Sequence, residues 1–434
     1  MTQENIIEAS KAARLQRLDG ILGPPMCAVL GFLNAFTPAA KAPPQTRKPR
    51  NMAFFKLGEQ GSTVLAIPAI QDATRRVGRE NVHFVVFAEN RKILDVLDLV
   101  PRANIHEIHT RSLPAFFASI WNVVMRLRAI PLDAAIDLDF FARASAILVR
   151  LSGARWRVGL HAYFGEGPYR GNLMTHRPRY NPHIHTSRLF LSLVRALDAD
   201  PADFPAWPDS GPQPDLPQIE IPLESARRVG DLLCASLGCG EVPPIVLLNA
   251  NCSDMIPLRR WESSRFVELA RRTLSEFPEA SVVFTGAPAE AEQAAALASE
   301  VGSPRCISLA GKTSLEDLFA LYAHSRVLVT NDSGPAHFAS LTPVGIVVLF
   351  GPETPALFGP LSPRSVALSA GLPCSPCVSA QNNRLSACRN NLCMQAIPVD
   401  TVMHHVRNFL STPSMITDSG INEDHCGFAR RTNA

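Results

Sequence analysis

The chain has little charge and few polar aromatic rings. Asp, Glu, Lys and Arg make up only 19% of its 434 residues, the net charge is +3, and there are four tryptophans and four tyrosines. A balance this close to neutral leaves no electrostatic footprint for nucleic acid as a partner. Long apolar runs are also missing. The longest near the start, Ile21–Phe36, is shorter than a bilayer span needs and carries Pro24 and Pro25. The first twenty residues are charged and amphipathic, so they do not read as a cleavable secretion signal. The expectation is a cytoplasmic protein that touches a membrane peripherally at most. Ten cysteines in that setting read as thiols or metal ligands rather than disulfides. Apolar residues, by contrast, are plentiful: at 46% of the chain they suffice for two cores, and two domains are the default for this length.

Residues 1–50 read as an N-terminal extension and linker. Ile6–Ile21 spaces its apolar residues along one helical face, interspersed with Lys11, Arg14 and Arg17. A basic amphipathic helix followed by an apolar stretch suits a membrane interface, and a helix packed on the protein's own surface suits the pattern equally. From Met52 the pattern turns to strands alternating with helices. Met52–Lys56, Val82–Phe87, Asn104–Ile108 and Ala134–Leu138 read as strands, and Thr63–Val77 as a helix. Nearly continuous apolar strands of this kind belong in a parallel sheet covered on both faces. Residues 51–200 are taken as the first domain. Residues 201–240, opening with the Pro-, Asp- and Ser-rich run Pro201–Pro222, form a linker and the start of the second domain. That second domain, residues 241–410, repeats the alternation with strands at Ile245–Asn249, Ser281–Thr285, Val327–Thr330 and Val344–Phe350. Thr313-Ser-Leu-Glu316 has the spacing of a capping box. Residues 411–434 are polar and expected to be disordered. Two doubly wound α/β units set a cleft between their strand carboxyl ends.

The most informative segment is Thr330-Asn-Asp-Ser-Gly-Pro-Ala-His337, followed by Phe350-Gly-Pro-Glu-Thr354. A strand runs into a turn at Asp332, Ser333 and Gly334, and Pro335 opens a short helix with Ser333 as its N-cap. Such a turn lets backbone N–H groups approach an anion, so it is where an α/β domain would hold a diphosphate. The segment closely resembles the C-terminal signature of glycosyltransferase family 9. The likeness is collinear over most of residues 52–408. It takes in Lys56 to Pro68, Leu151-Ser-Gly-Ala154, Val158-Gly159, Arg259-Arg-Trp261, Thr285-Gly-Ala-Pro-Ala-Glu290 and Leu309-Ala-Gly-Lys-Thr313. The resemblance implies a GT-B fold, with two Rossmann-like domains facing a central cleft. It further implies an inverting transfer without a catalytic metal or other cofactor. The donor would be a nucleotide-diphosphate heptose, ADP-heptose in the family's case, and the acceptor a lipopolysaccharide core or related glycolipid at the inner-membrane surface.

Carried over residue by residue, the resemblance makes Arg259, with Arg260 beside it, the cation that neutralises the leaving diphosphate. A guanidinium offers two donors at once for that task. A surface basic pair beside a helix start explains the same residues. Glu290 matches a glutamate on the nucleoside ribose, though a glutamate in a first helical turn needs no ligand. Asp332 matches an aspartate on the donor sugar, with Ser333, Gly334 and His337 around the phosphates.

The acceptor side departs from the family. Where members carry Gly-Asp, with the aspartate as general base, this chain has Gly61-Ser62 six residues before Pro68. A serine hydroxyl cannot take a proton from a sugar hydroxyl near neutral pH, whereas a carboxylate can. Glu59, three residues earlier, is expected to take over from Ser62. If it does not, the chain is a non-catalytic sugar-nucleotide or glycolipid-binding protein, or an enzyme such as an epimerase. Asp137-Leu-Asp139 looks like a metal-binding Asp-x-Asp, but it sits at the end of a parallel strand and reads as structural. Arg170, Arg177 and Arg179 lie in a basic stretch suited to the phosphates and acidic sugars of an acceptor, or to a solvated loop. Cys374-x2-Cys377-x10-Cys388-x4-Cys393 has the ligand set for a structural zinc, with free thiols as the other reading.

Overall fold

Apolar runs without polar alternation become strands buried on both faces, as a parallel sheet requires. Five of them, β1 (Met52–Phe55), β2 (Val82–Phe87), β3 (Ile105–Ile108), β4 (Ala134–Asp137) and β5 (Trp156–Val158), form a parallel sheet in the order β3-β2-β1-β4-β5. A second parallel sheet holds β6 (Ile245–Asn249), β7 (Ser281–Phe284), β8 (Cys306–Ser308), β9 (Ser325–Asn331), β10 (Gly345–Phe350) and β11 (Ser365–Ser369). Its order is β11-β10-β9-β6-β7-β8. This computed structural model describes residues 3–34, 36, 48–205, 211–252 and 256–412, with side chains from Arg17 onward.

Each sheet reverses its winding once, between β1 and β4 and between β6 and β9. At such a point successive helices leave on opposite faces and open a crevice at the strand carboxyl ends. Lys56 and Glu59 follow β1 at the first of these points, and Arg259 and Asp332 follow β6 and β9 at the second.

The expected strands stand within two residues of their places. The sequence reading did not include β5, β8 and β11. All three are edge strands, and β8 and β11 are only partly buried, so they lack the continuous apolar signature. The helix expected over Thr63–Val77 is two pieces, Gln60–Val64 and Ile67–Val77, with Pro68 in the first turn of the second. A proline there cannot continue the preceding helix but opens a new one freely. The capping box is formed by Ser314 and Asp317, one residue later than expected, with Asp317 N–H donating to Ser314 Oγ at 3.1 Å.

The N-terminal segment is one helix, Gln3–Asn34, with Pro24 and Pro25 inside it. It lies against the helix Arg143–Leu151. Asp19 Oδ1 accepts from the N–H groups of Arg143 (3.0 Å) and Ala144 (2.7 Å), capping that helix from another element. Cys27 is buried, and Asn34 donates to the Asn172 carbonyl at 3.1 Å. In the linker, Ile219 N–H donates to Leu341 O of the second half at 2.8 Å. The tail expected to be disordered lies, from residue 413 on, outside the described residues.

Candidate active site

At the second switch point, β9 ends in Asn331, whose side chain ties the crevice together. Its amide donates to the carbonyls of Ala250 (3.1 Å) and Asn251 (3.2 Å) after β6, and its Oδ1 accepts from Trp261 N–H at 3.0 Å. Asn391 then donates to the carbonyls of Leu258 (3.1 Å) and Arg260 (2.8 Å). Between these anchors the short 3-10 turn Pro257–Arg259 presents Arg259 to the crevice. Its Nη1 lies 3.5 Å from Asp332 Oδ2, an ion pair at the outer limit of a hydrogen bond.

His337 and Glu353 share this hollow. Burial pushes the Asp332 carboxyl up, with Arg259 opposing. Burial and then the charge of Asp332 push Glu353 up to about 8. His337 is held down to about 3, first by burial and then by His185 and Arg259, so it is neutral. His185, from the basic stretch, hydrogen-bonds through Nε2 to the Gly359 carbonyl at 2.9 Å. Among the described residues, Arg259 Nε, His337 Nδ1 and Glu353 Oε2 are buried here without a hydrogen-bond partner, and Asp332 Oδ2 has no hydrogen bond shorter than its 3.5 Å contact with Arg259. A folded protein rarely leaves one such atom in a place, and a group of them marks a site that a polar ligand completes.

Two donor-side expectations are modified. Ser333 holds the N-cap position of the helix Gly334–Ala339, yet its hydroxyl donates to Asn331 O at 3.1 Å and caps no helical N–H. Glu290 folds back so that Oε2 accepts from Ala287 N–H at 2.7 Å, the first-turn arrangement that needs no ligand. Arg260 donates to the Cys252 carbonyl at 3.4 Å.

At the first switch point Glu59 adopts φ 65° and starts the helix Gln60–Val64. Its carboxylate meets three partners: Arg384, Lys56 Nζ at 3.5 Å, and the Ser62 hydroxyl, which donates to Oε2 at 3.2 Å. Glu59 thus lies against Ser62 in the same turn. Lys56 is buried and pairs with Asp139 Oδ1 at 2.8 Å; burial lowers its pKa and Asp139 opposes the shift. Arg384 arrives from the far half of the chain and stacks over Phe140 and Phe358, with its Nε 4.0 Å from Glu353. It therefore bridges the two switch points. The two turns also touch directly, since a Cβ built on Gly61 would lie 2.8 Å from Gly334 Cα. Only glycine fits there.

Lys56, Asp139, His185, Glu353 and Arg384 are site residues that the sequence does not single out. Lys56, Asp139 and Glu353 lie inside the motifs at Lys56 to Pro68, Asp137-Leu-Asp139 and Phe350-Gly-Pro-Glu-Thr354. Nothing local marks Arg384, whose role depends on a loop crossing between the halves.

Arg170 requires correction. It is buried and paired with Asp137, which also accepts from Ser145 Oγ at 3.0 Å, and its guanidinium donates to the Phe140 carbonyl. A side chain so enclosed braces the turn after β4 and is not available to an acceptor. Arg179 is exposed and pairs with Glu166 at 3.1 Å, and Arg177 is half-buried. The closed zinc site is not formed either. Among the described residues no three His, Cys, Asp or Glu side chains converge as a metal set. Cys374 and Cys388 are exposed, Cys393 is buried, and Cys377 Sγ contacts Ser386 Oγ at 3.3 Å.

The profile of Glycosyltransferase family 9 (heptosyltransferase) matches residues 120–387. The chain belongs to this family. Similar proteins include lipopolysaccharide heptosyltransferase 2 of Salmonella typhimurium, 29% identical over 158 residues, which are 36% of this chain and 43% of that protein. Lipooligosaccharide heptosyltransferase 2 of Haemophilus ducreyi is 34% identical over 166 residues, or 36% of this chain and 47% of that protein. The matched stretch spans less than half the length of these curated relatives. The fold is that of E. coli ADP-heptose lps heptosyltransferase II, with a TM-score of 0.63 and 18% identity over 83% of this chain and 98% of that one. E. coli heptosyltransferase WaaC with ADP is similar at a TM-score of 0.56 and 17% identity, over 83% of this chain and 99% of that chain. Both sheets, and the cleft between them, are therefore those of the GT-B fold.

Proposed function

We propose that the protein is an inverting glycosyltransferase. It would move a heptose from a nucleotide-diphosphate sugar, ADP-heptose by analogy with its relatives, to a lipopolysaccharide core or similar glycolipid. The observation that carries this reading is the group of buried polar atoms on Arg259, Asp332, His337 and Glu353 whose hydrogen-bonding capacity the described residues leave unfilled. A diphosphate and a sugar rich in hydroxyls supply the acceptors and donors that this hollow lacks. The Glu59 carboxylate takes the proton of the acceptor hydroxyl. The freed oxygen attacks the anomeric carbon from the face opposite the nucleotide, and the bond from that carbon to the diphosphate oxygen breaks. Arg259 neutralises the charge that grows on the leaving group, and Asp332 orients the sugar. The reaction would take place at the cytoplasmic face of the inner membrane, with the protein held there peripherally. No helix among the described residues is long and apolar enough to cross a membrane.

Ser62 gives weight to a second reading, a binding protein without turnover. One experiment separates the two. Nucleotide sugars are screened for thermal stabilisation, and the best is then assayed for nucleoside diphosphate release with a glycolipid acceptor. Release that needs both substrates is expected, with Asp332→Ala and Arg259→Ala each lowering it by at least ~10²-fold in folded protein. Full activity in either variant contradicts the donor-site reading, and stabilisation without release supports the binding protein.

A further inference from the structure

The helix Leu113–Ala129 carries apolar residues on both of its faces. Val123, Val124 and Leu127 pack inward on the first sheet. On the opposite side Leu113, Phe117, Trp121 and Met125 recur every fourth residue, and all are exposed, Trp121 at 66%. No acidic residue occurs in the helix, and its last turn carries Arg126 and Arg128. A stripe of large apolar side chains on a single helix is more than scattered surface exposure. The neighbouring N-terminal helix adds Ile21, Val29 and Phe32, also exposed. Both helices lean on Arg143–Leu151 and share one buried cluster, so they cover the same side of the sheet.

Beside the stripe, rotated by about one residue, the helix face Ser119, Asn122 and Arg126 lines a cavity of about 290 Å³. The other wall brings Arg102, His106 and His109. Glu107 and Arg91 also line it, but Arg91 is held by Glu107 and by Asp95 at 3.0 Å. Arg102 pairs with Asp95 at 3.8 Å, and Arg126 makes no ion pair among the described residues. His106 is 6% exposed; its Nε2 lies 3.4 Å from His83 Nδ1, and its Nδ1 has no hydrogen-bond partner among the described residues. The cavity thus offers a cation outside any ion pair and one unfilled ring nitrogen of a buried imidazole directly alongside an apolar stripe.

We propose that this face docks on an anionic phospholipid bilayer. The Leu113–Met125 stripe would enter the acyl boundary, and the cavity at Arg126 and His106 would take one phosphodiester headgroup. Charge complementarity selects that occupant, because an apolar stripe bordered by arginines matches a phosphate layer over hydrocarbon. The placement has a purpose that rests on the glycolipid acceptor proposed above. Thr110, just before the helix, donates to Glu89 Oε1 at 2.9 Å, and Gln60 donates to the Glu89 carbonyl at 2.9 Å. The docked helix therefore starts at the rim of the turn that carries Glu59.

The test is co-sedimentation of the full chain with phosphatidylglycerol-containing or pure phosphatidylcholine vesicles, without acceptor or donor. Binding should prefer the anionic vesicles and weaken with salt. Phe117→Glu and Trp121→Glu should each reduce it by about tenfold or more, with circular dichroism and ADP binding unchanged. Arg126→Glu should lower the preference for phosphatidylglycerol by roughly fivefold or more. Tryptophan emission should shift to the blue on anionic vesicles and lose that shift in Trp121→Phe. Three results would overturn the proposal. One is wild-type vesicle binding by Trp121→Glu. Another is a dimer that Trp121→Glu dissociates, which would make a second copy the occupant. The third is Arg126-dependent stabilisation by inorganic phosphate with no vesicle binding. Loss of transfer with vesicle binding intact would instead count against the proposed function.

Discussion

Replacing Glu59 by Gln removes one charge and leaves the shape of the turn. Lys56 retains Asp139 at 2.8 Å, but Arg384 loses its close carboxylate, because Glu353 lies 4.0 Å away and burial keeps it protonated near neutral pH. The expected stability cost is that of uncovering a largely buried cation, up to about 3–5 kcal/mol, so folded protein is confirmed before rates are compared. The effect on rate is a separate quantity. A positioned general base contributes ~10²–10⁴-fold, equivalent to roughly 3–5 kcal/mol of barrier. Glu59→Gln should accordingly lower single-turnover release of nucleoside diphosphate by that factor, while the affinity for nucleotide, measured by calorimetry, barely moves. Ser62 donates to Glu59 Oε2 at 3.2 Å, so an aspartate at position 62 would put a carboxylate in nearly the same space. The double variant with Ser62→Asp should recover at least about tenfold of the loss. Wild-type turnover in Glu59→Gln would place the base elsewhere. A parallel collapse of nucleotide affinity would show that Glu59 acts by holding Arg384 and the cleft rather than by moving a proton.

Two further outcomes follow from the buried charges. Arg170→Met leaves Asp137 buried without its cation, so the thermal midpoint should fall by the equivalent of about 3–5 kcal/mol with acceptor KM unchanged; a raised KM in protein of native stability would restore Arg170 to the acceptor site. Glu353 has its carboxyl pushed up to about 8 from 4.5, so between those values the folded chain holds a proton that the unfolded chain has released. Stability then falls as pH rises through that window, and Glu353→Gln should remove this slope, matching the wild type in pH dependence below about 4.5 and above about 8; parallel thermal-midpoint profiles across the window would refute the assignment.

Much of the fold was legible because parallel strands buried on both faces leave unbroken apolar runs. Val82–Phe87 and Ile245–Asn249 appear in the structure with the bounds read from sequence. The short edge strands β5, β8 and β11 were not legible, since an edge strand packs against fewer neighbours and needs fewer apolar residues. The donor turn was legible for a different reason. A turn that must pass between two close-packed halves restricts its residues, and the contact between Gly61 and Gly334 gives the steric cause. Glu290 and Ser333 were located correctly in the chain but bond within their own turns.

The sequence by itself determined the alternation of strands and helices and the turn around Asp332, because these follow from local backbone and burial requirements. Only tertiary structure decided which charges meet. Arg170 and Arg179 lie in one basic stretch, yet the fold buries the first against Asp137 and leaves the second exposed beside Glu166. Arg384 is 325 residues from Glu59 and touches it because a loop crosses the cleft. The strength of an ionic contact depends on distance and on the exclusion of water, and neither quantity is encoded along a chain before it packs.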